Sequence, residues 1–182
     1  AVPVFWIMII HKAREVYEKN NDSFAKLDGF LDEILYQDLL KEARKYGGEV
    51  PRFVKQQIDA ANLKVWWFSK KQKEHEPKYL SGGKIAFSFF KTSAEDSLGR
   101  MTQRVFPELN YSEDEKEADL QQKIDDNLLK SMFAKRHTLY GILPVLIFFL
   151  AKETEIKNLK TYYLRFAKQY TDILKYERAL YA

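Results

Sequence analysis

Apolar residues recur along most of this chain at the three- and four-residue spacing of helices that bury one face. Residues 4–19 read as a first helix, ended by the polar run "KNNDS", where Asn, Asp and Ser suit a turn and a fresh N-cap. Leu27, Leu31, Ile34, Leu35 and Leu39 predict a second helix from Phe24 to Tyr46, with Gly47-Gly48 as its stop. A third helix is expected after Pro51, through Ile58, Asn62 and Val65 toward Phe68. The charged run "KKQKEHEPK" then breaks the pattern. "YLSGGKIAFSFFKTS" resumes with a tight Gly-Gly turn and a piece that periodicity leaves open between short helix and extended chain. Residues 107–119, "PELNYSEDEKEAD", read as a polar, acidic connection. From Leu120 a helix is expected to about His137, Tyr140-Gly141 turns the chain, and from Pro144 the helical signal is long.

Within that last segment Ile156, Leu159, Tyr163, Phe166, Tyr170 and Ile173 are spaced 3, 4, 3, 4 and 3 apart. Such a seam needs a partner helix or groove to cover it. Packing within the chain is the plain explanation, and a protein partner is the functional one.

The chain also repeats itself. "DAANLKVWW" at residues 59–67 returns as "EIKNLKTYY" at 155–163. Asp125 follows Asp32 by 93 residues, Tyr140 follows Tyr46 by 94, and Asn158 follows Asn62 by 96. Landmarks in one order at nearly constant spacing predict two similar lobes. The first lobe is assigned to 1–106, the acidic connection to 107–119, and the second lobe to 120–182. Asn62 and Asn158, amides on helix faces that are otherwise apolar, would each fix the register of one helix contact.

Composition narrows the class. Among 182 residues, 46% are hydrophobic and 15% aromatic, ample for a packed core, while seven Gly and five Pro are few for a turn-dense all-β fold. The chain has no cysteine, which excludes disulfides and thiolate chemistry. A net charge of +4 is a mild excess, compatible with acidic partners, an anionic membrane surface or an ordinary solvated exterior. The opening "AVPVFWIMII" is too short to span a bilayer, which takes ~20 apolar residues, and reads instead as the middle of a buried helix. It suggests a natural N-terminal portion ahead of residue 1. "ILPVLIFFLA", also short, reads as a core helix beginning near Pro144.

Catalytic signatures are missing. "SGGK" at residues 81–84 lacks the first glycine of a phosphate loop and has Ile85 where a Ser or Thr must reach magnesium, so it reads as a turn. His11, His75 and His137 lie far apart with no i,i+4 ligand pairing, and no Gly-x-Ser-x-Gly elbow occurs. Glu113, Asp114, Glu115, Glu117 and Asp119 belong to a solvated run. Glu153 and Glu155, with Lys152 and Lys157 beside them, read as charges at the edge of a buried helix. Basic residues alternate with acids and no base-stacking motif is visible, so no nucleic-acid partner is expected. No catalytic residue, cofactor or metal site is assigned.

"IDAANLK", "YLSGGKI", "LYGILPVLIFFLAKETEIKNLK" and "YERALYA" together resemble the C subunit of bacterial and archaeal V-type (A/V-type) rotary ATPases, called subunit d in eukaryotes. The family pattern falls on Ile58 and Asp59, Asn62 and Leu63, Gly82 and Gly83, Gly141 and Pro144, and Ala151 to Leu159. The sequence departs from it at three places. About two lobes are visible where the family has three; Trp66, Trp67 and Phe68 follow the first Asn-Leu where Arg is frequent, with Lys160 at the second; and the turn is Ser-Gly-Gly in place of Pro-Gly-Gly.

The resemblance implies an all-α protein, two related helical-bundle lobes of a three-lobed, funnel-shaped subunit. It implies a non-catalytic central-rotor subunit that links the central shaft to the membrane ring and transmits torque for ATP-driven ion transport or ATP synthesis. Peripheral association with the cytoplasmic face of the membrane through the ring would follow, with no homo-oligomer. Asp59, Asn62, Gly82, Gly83, Glu153, Glu155 and Asn158 would be structural motif residues, and Lys64, Lys157 and Lys160 candidates for partner contact. A general helical scaffold or adaptor shares the physical features but lacks the motifs.

Overall fold

The computed structural model describes residues 4–19, 24–72, 77–93, 96–109, 117–137 and 141–168. Seven helices order this part of the chain: α1 (Val4–Lys19), α2 (Phe24–Tyr46), α3 (Glu49–Gln72), α4 (Phe87–Thr92), α5 (Leu98–Val105), α6 (Glu117–Phe133) and α7 (Leu143–Lys168). No strand occurs among the described residues, so the fold is all-α.

Helices α2 and α3 form a hairpin because Gly47 and Gly48 take positive φ values of 63° and 59°, a left-handed turn that side-chain-bearing residues resist. The expected start of α3 after Pro51 is corrected to Glu49, and that of α7 from Pro144 to Leu143. Both prolines sit inside the first turn, where the missing N–H has no helical acceptor anyway. The stretch left open by periodicity resolves into irregular backbone over residues 77–86 followed by the short α4. Ser97 caps α5, its side chain accepting from the Arg100 N–H at 3.3 Å.

The second half differs from expectation at both ends of α6. The helix starts at Glu117, inside the acidic connection, and it stops at Phe133 short of His137. Asp119 near its beginning suits the positive end of the helix dipole. After Phe133 the N–H groups of Lys135 and Arg136 reach the carbonyls of Met132 and Phe133 at 2.9 and 3.0 Å, tightening the chain into turns.

Two apolar clusters hold the helices. The smaller joins Leu40 and Ala43 of α2 to Val54 and Ile58 of α3 and to Leu80 of the loop after it. The larger runs from Phe53, Leu63 and Trp66 on α3 through Phe90, Leu98 and Met101 to Ile124 and Met132 on α6 and Ile147 on α7. Residues before and after the acidic connection therefore share one core, with α6 packed on α3. Each fully buried Leu, Ile or Phe removes enough apolar surface from water to contribute about 1.5–3 kcal/mol.

The seam on α7 behaves otherwise. Ile156, Leu159, Tyr163 and Phe166 are all more than half exposed, so the described residues do not supply the intramolecular cover expected for them. Tyr170 and Ile173 lie outside the described residues. No described helix is long and apolar enough to cross a membrane.

A candidate functional site at the clasped glycine turn

Four of the motif residues meet at one place. On α3, Asp59 and Asn62 are three apart and so face the same way, toward the loop that follows the helix. The Asn62 amide donates from Nδ2 to the Leu80 carbonyl at 2.9 Å, and its Oδ1 accepts from the Leu80 N–H at 2.7 Å. Asn62 and Leu80 are both buried, so the amide answers a donor and an acceptor that water cannot reach.

One turn earlier Asp59 performs the corresponding task. Its two carboxylate oxygens accept from the backbone N–H groups of Lys84 at 3.0 Å and Ile85 at 3.2 Å. Burial pushes the Asp59 carboxyl above the ordinary carboxylate range, while the two N–H donors and the Lys84 and Lys55 cations pull the other way. The Lys84 amide of the "SGGK" turn and the Ile85 amide after it are thus engaged by an internal carboxylate, where a phosphate loop would hold its amides open.

The glycines are required by this closeness. Gly82 has φ 97°, and a β-carbon there would stand 2.7 Å from Leu40 Cδ2. A β-carbon at Gly83 would overlap a carboxylate oxygen of Asp59. From the α2 side Gln37 donates to the Ser81 carbonyl at 2.9 Å and to Ser81 Oγ at 2.6 Å, and Ser81 Oγ donates to Glu33 at 2.9 Å. Helices α2 and α3 therefore grip the same turn from both sides.

Trp66, Trp67 and Phe68 occupy three distinct settings. Trp66 is buried and donates from Nε1 to the Ser93 carbonyl at 3.3 Å. Trp67 is half-buried, with the Lys71 ammonium 4.8 Å from its ring centroid. Phe68 is exposed.

The remaining motif residues lie on α7, apart from the turn. Asn158 is buried, as is Thr154 one turn before it, whose hydroxyl donates to the Leu150 carbonyl at 2.9 Å. Glu153 and Glu155 are exposed and paired along the helix, Glu153 with Lys157 at 2.7 Å and Glu155 with Lys152 at 2.8 Å. Lys64 borders a small apolar cavity between Leu63 and Trp67 of α3 and Leu120 and Ile124 of α6, with Gln121 beside it. Lys160 stands exposed on α7. Of the histidines, His11 and His137 are exposed and His75 lies outside the described residues. Among the described residues no group of three or more His, Asp or Glu side chains could hold a metal ion.

Sequence reasoning named Asp59, Asn62, Gly82 and Gly83 but missed Glu33, Gln37 and Ser81. Glu33 and Gln37 carry the i,i+4 spacing of one helix face, yet nothing local ties them to a turn 44 residues away.

The family model described as "ATP synthase (C/AC39) subunit" matches residues 8–162, and the chain belongs to that family of V/A-type ATP synthase subunits. No curated protein and no solved structure matches the chain.

Proposed function

We propose that this chain is a non-catalytic central-rotor subunit of a V/A-type rotary ATPase, joining the central shaft to the membrane ring and passing torque between them. The match over residues 8–162 carries the reading. The physics of the site supports it. A part that transmits torque must resist shear between its helices, and the hydrogen bonds of Asp59 with Lys84 and Ile85 and of Asn62 with Leu80 tie α3 to a loop that α2 also grips. Sliding one helix past another there would expose buried donors and acceptors, each costing roughly 1–3 kcal/mol.

The partners are then the shaft subunits and the membrane ring, with the chain peripheral to the membrane on its cytoplasmic side. Lys64, Lys157 and Lys160 are the candidate contacts. Co-purification of the chain with both the shaft subunits and the ring of a rotary ATPase from the same source is the expected result. A folded, helical chain that captures neither would reduce the assignment to a helical scaffold.

A further inference from the structure

Positive charge is concentrated in one stretch of the chain. Residues 64–104 carry nine Lys and Arg against four Asp and Glu, an excess of five that is larger than the +4 of the whole chain. Outside this stretch several exposed cations lie against a carboxylate of their own helix, as Arg14 does with Glu18, Lys45 with Glu42 and Arg52 with Glu49.

Within the stretch the cations lie on aromatic rings. The Lys91 ammonium is 5.4 Å from the centroid of Phe87, one turn before it on α4, and the Arg104 guanidinium of α5 is 5.6 Å from that of Phe89. Lys70, near the end of α3, stands 5.2 Å from the Trp66 ring and donates to the Asp96 carbonyl just ahead of α5. Arg100 lies one turn before Arg104 on the same face of α5. Among the described residues Asp96 is the one carboxylate paired with any of these four, at 2.8 Å from Arg104. A ring offsets a cation's charge only in part but fixes where it stands, so less side-chain freedom is lost when an anion arrives.

The surface between these cations decides which anion fits. An anionic membrane would draw exposed apolar side chains into its headgroup layer. Phe87 is the one large apolar side chain exposed on α4 and α5, beside the polar Ser88, Thr92 and Gln103. Carboxylates of a protein suit the face better. Arg100 and Arg104, one turn apart, match acidic side chains one turn apart on a facing helix, and each guanidinium can meet a carboxylate through two N–H donors.

We propose that the face formed by Lys91, Arg100 and Arg104, with Lys70 at its side, docks an acidic helix of a partner protein.

A peptide probe tests this without shaft or ring, so the rotor assignment stands or falls separately. A labelled helical peptide with Glu at every fourth position is titrated against the full-length protein by fluorescence anisotropy. It is expected to bind, and more weakly as salt is added. Lys91→Glu combined with Arg100→Glu should weaken binding by about tenfold or more. Lys41→Glu combined with Lys130→Glu makes the same charge change at exposed positions on α2 and α6 and should alter it by no more than about twofold. All four sites are exposed, and circular dichroism verifies that both variants keep their helices. The Lys91 amine should be open to acylation in the free protein and protected once the peptide is bound. Failure of the wild type to bind overturns the proposal, as does an equal loss in both variants, which would reflect net charge alone. So does displacement of the peptide by phosphatidylserine vesicles, or a Lys91 amine already protected in the free protein, which would mean that the chain itself covers the face.

Discussion

Gly83 lies so close against Asp59 that a single added carbon would occupy the space of the carboxylate oxygen. The carboxylate could swing aside only by releasing the Lys84 and Ile85 N–H groups it holds. Gly83→Ala is therefore expected to destabilise by about 2 kcal/mol or more. Gly47→Ala, at φ 63° with no atom within 4 Å of the new β-carbon, should cost only the left-handed penalty of about 1 kcal/mol. Urea unfolding followed by circular dichroism compares the two, and an equal loss would mean the clasp is slack.

Asn62→Ala removes both hydrogen bonds to Leu80 at once. The stranded N–H and carbonyl are buried, and at roughly 1–3 kcal/mol each they predict a loss of about 2–6 kcal/mol. Asn62→Asp keeps the shape and the bond from the Leu80 N–H but sets an oxygen against the Leu80 carbonyl. It should fall between the alanine variant and wild type when the carboxyl is protonated, and thermal melts in acid test that order.

The Asp59 carboxyl is held above its ordinary value of 3.8 by burial. The folded chain thus holds this proton more tightly than the unfolded chain does. The stability that follows is fully present below the unfolded value and is lost as pH rises through the folded one. Relative to Asp59→Asn, which cannot titrate, wild-type stability should fall from about pH 4 upward and level off beyond the raised folded pKa. Paired denaturant midpoints across that window would refute this by showing a rise.

Lys157 and Lys160 project from α7, and the Lys157–Glu153 pair is an exposed one. Replacing Lys157 with Ala should change folding stability by no more than about 1 kcal/mol. If the rotor assignment holds, Lys160→Glu should slow association with the shaft subunits, an effect that shrinks as salt is added. A binding rate indifferent to both the substitution and the salt would remove Lys160 from the interface.

The helical periods, the glycine stops and the twofold phrase around Asn62 and Asn158 were legible without coordinates, because each depends on residues a few positions apart. So was the family, whose match over residues 8–162 takes in the motifs quoted for it apart from "YERALYA". The clasp was legible only in part. Asp59 and Asn62 stood out as motif residues, but that their partners are the backbone of Leu80, Lys84 and Ile85 depends on where the chain returns 18 to 26 residues later.

Sequence alone determined which faces of α2, α3, α6 and α7 are apolar, since periodicity is local. Tertiary structure decided which of those faces meet. Ile124 and Leu31 both lie on apolar helix stripes, yet one is sealed in the core and the other stands at the surface. The difference lies in the neighbour: α3 covers Ile124, and burial is set by what a face packs against, which no local spacing encodes.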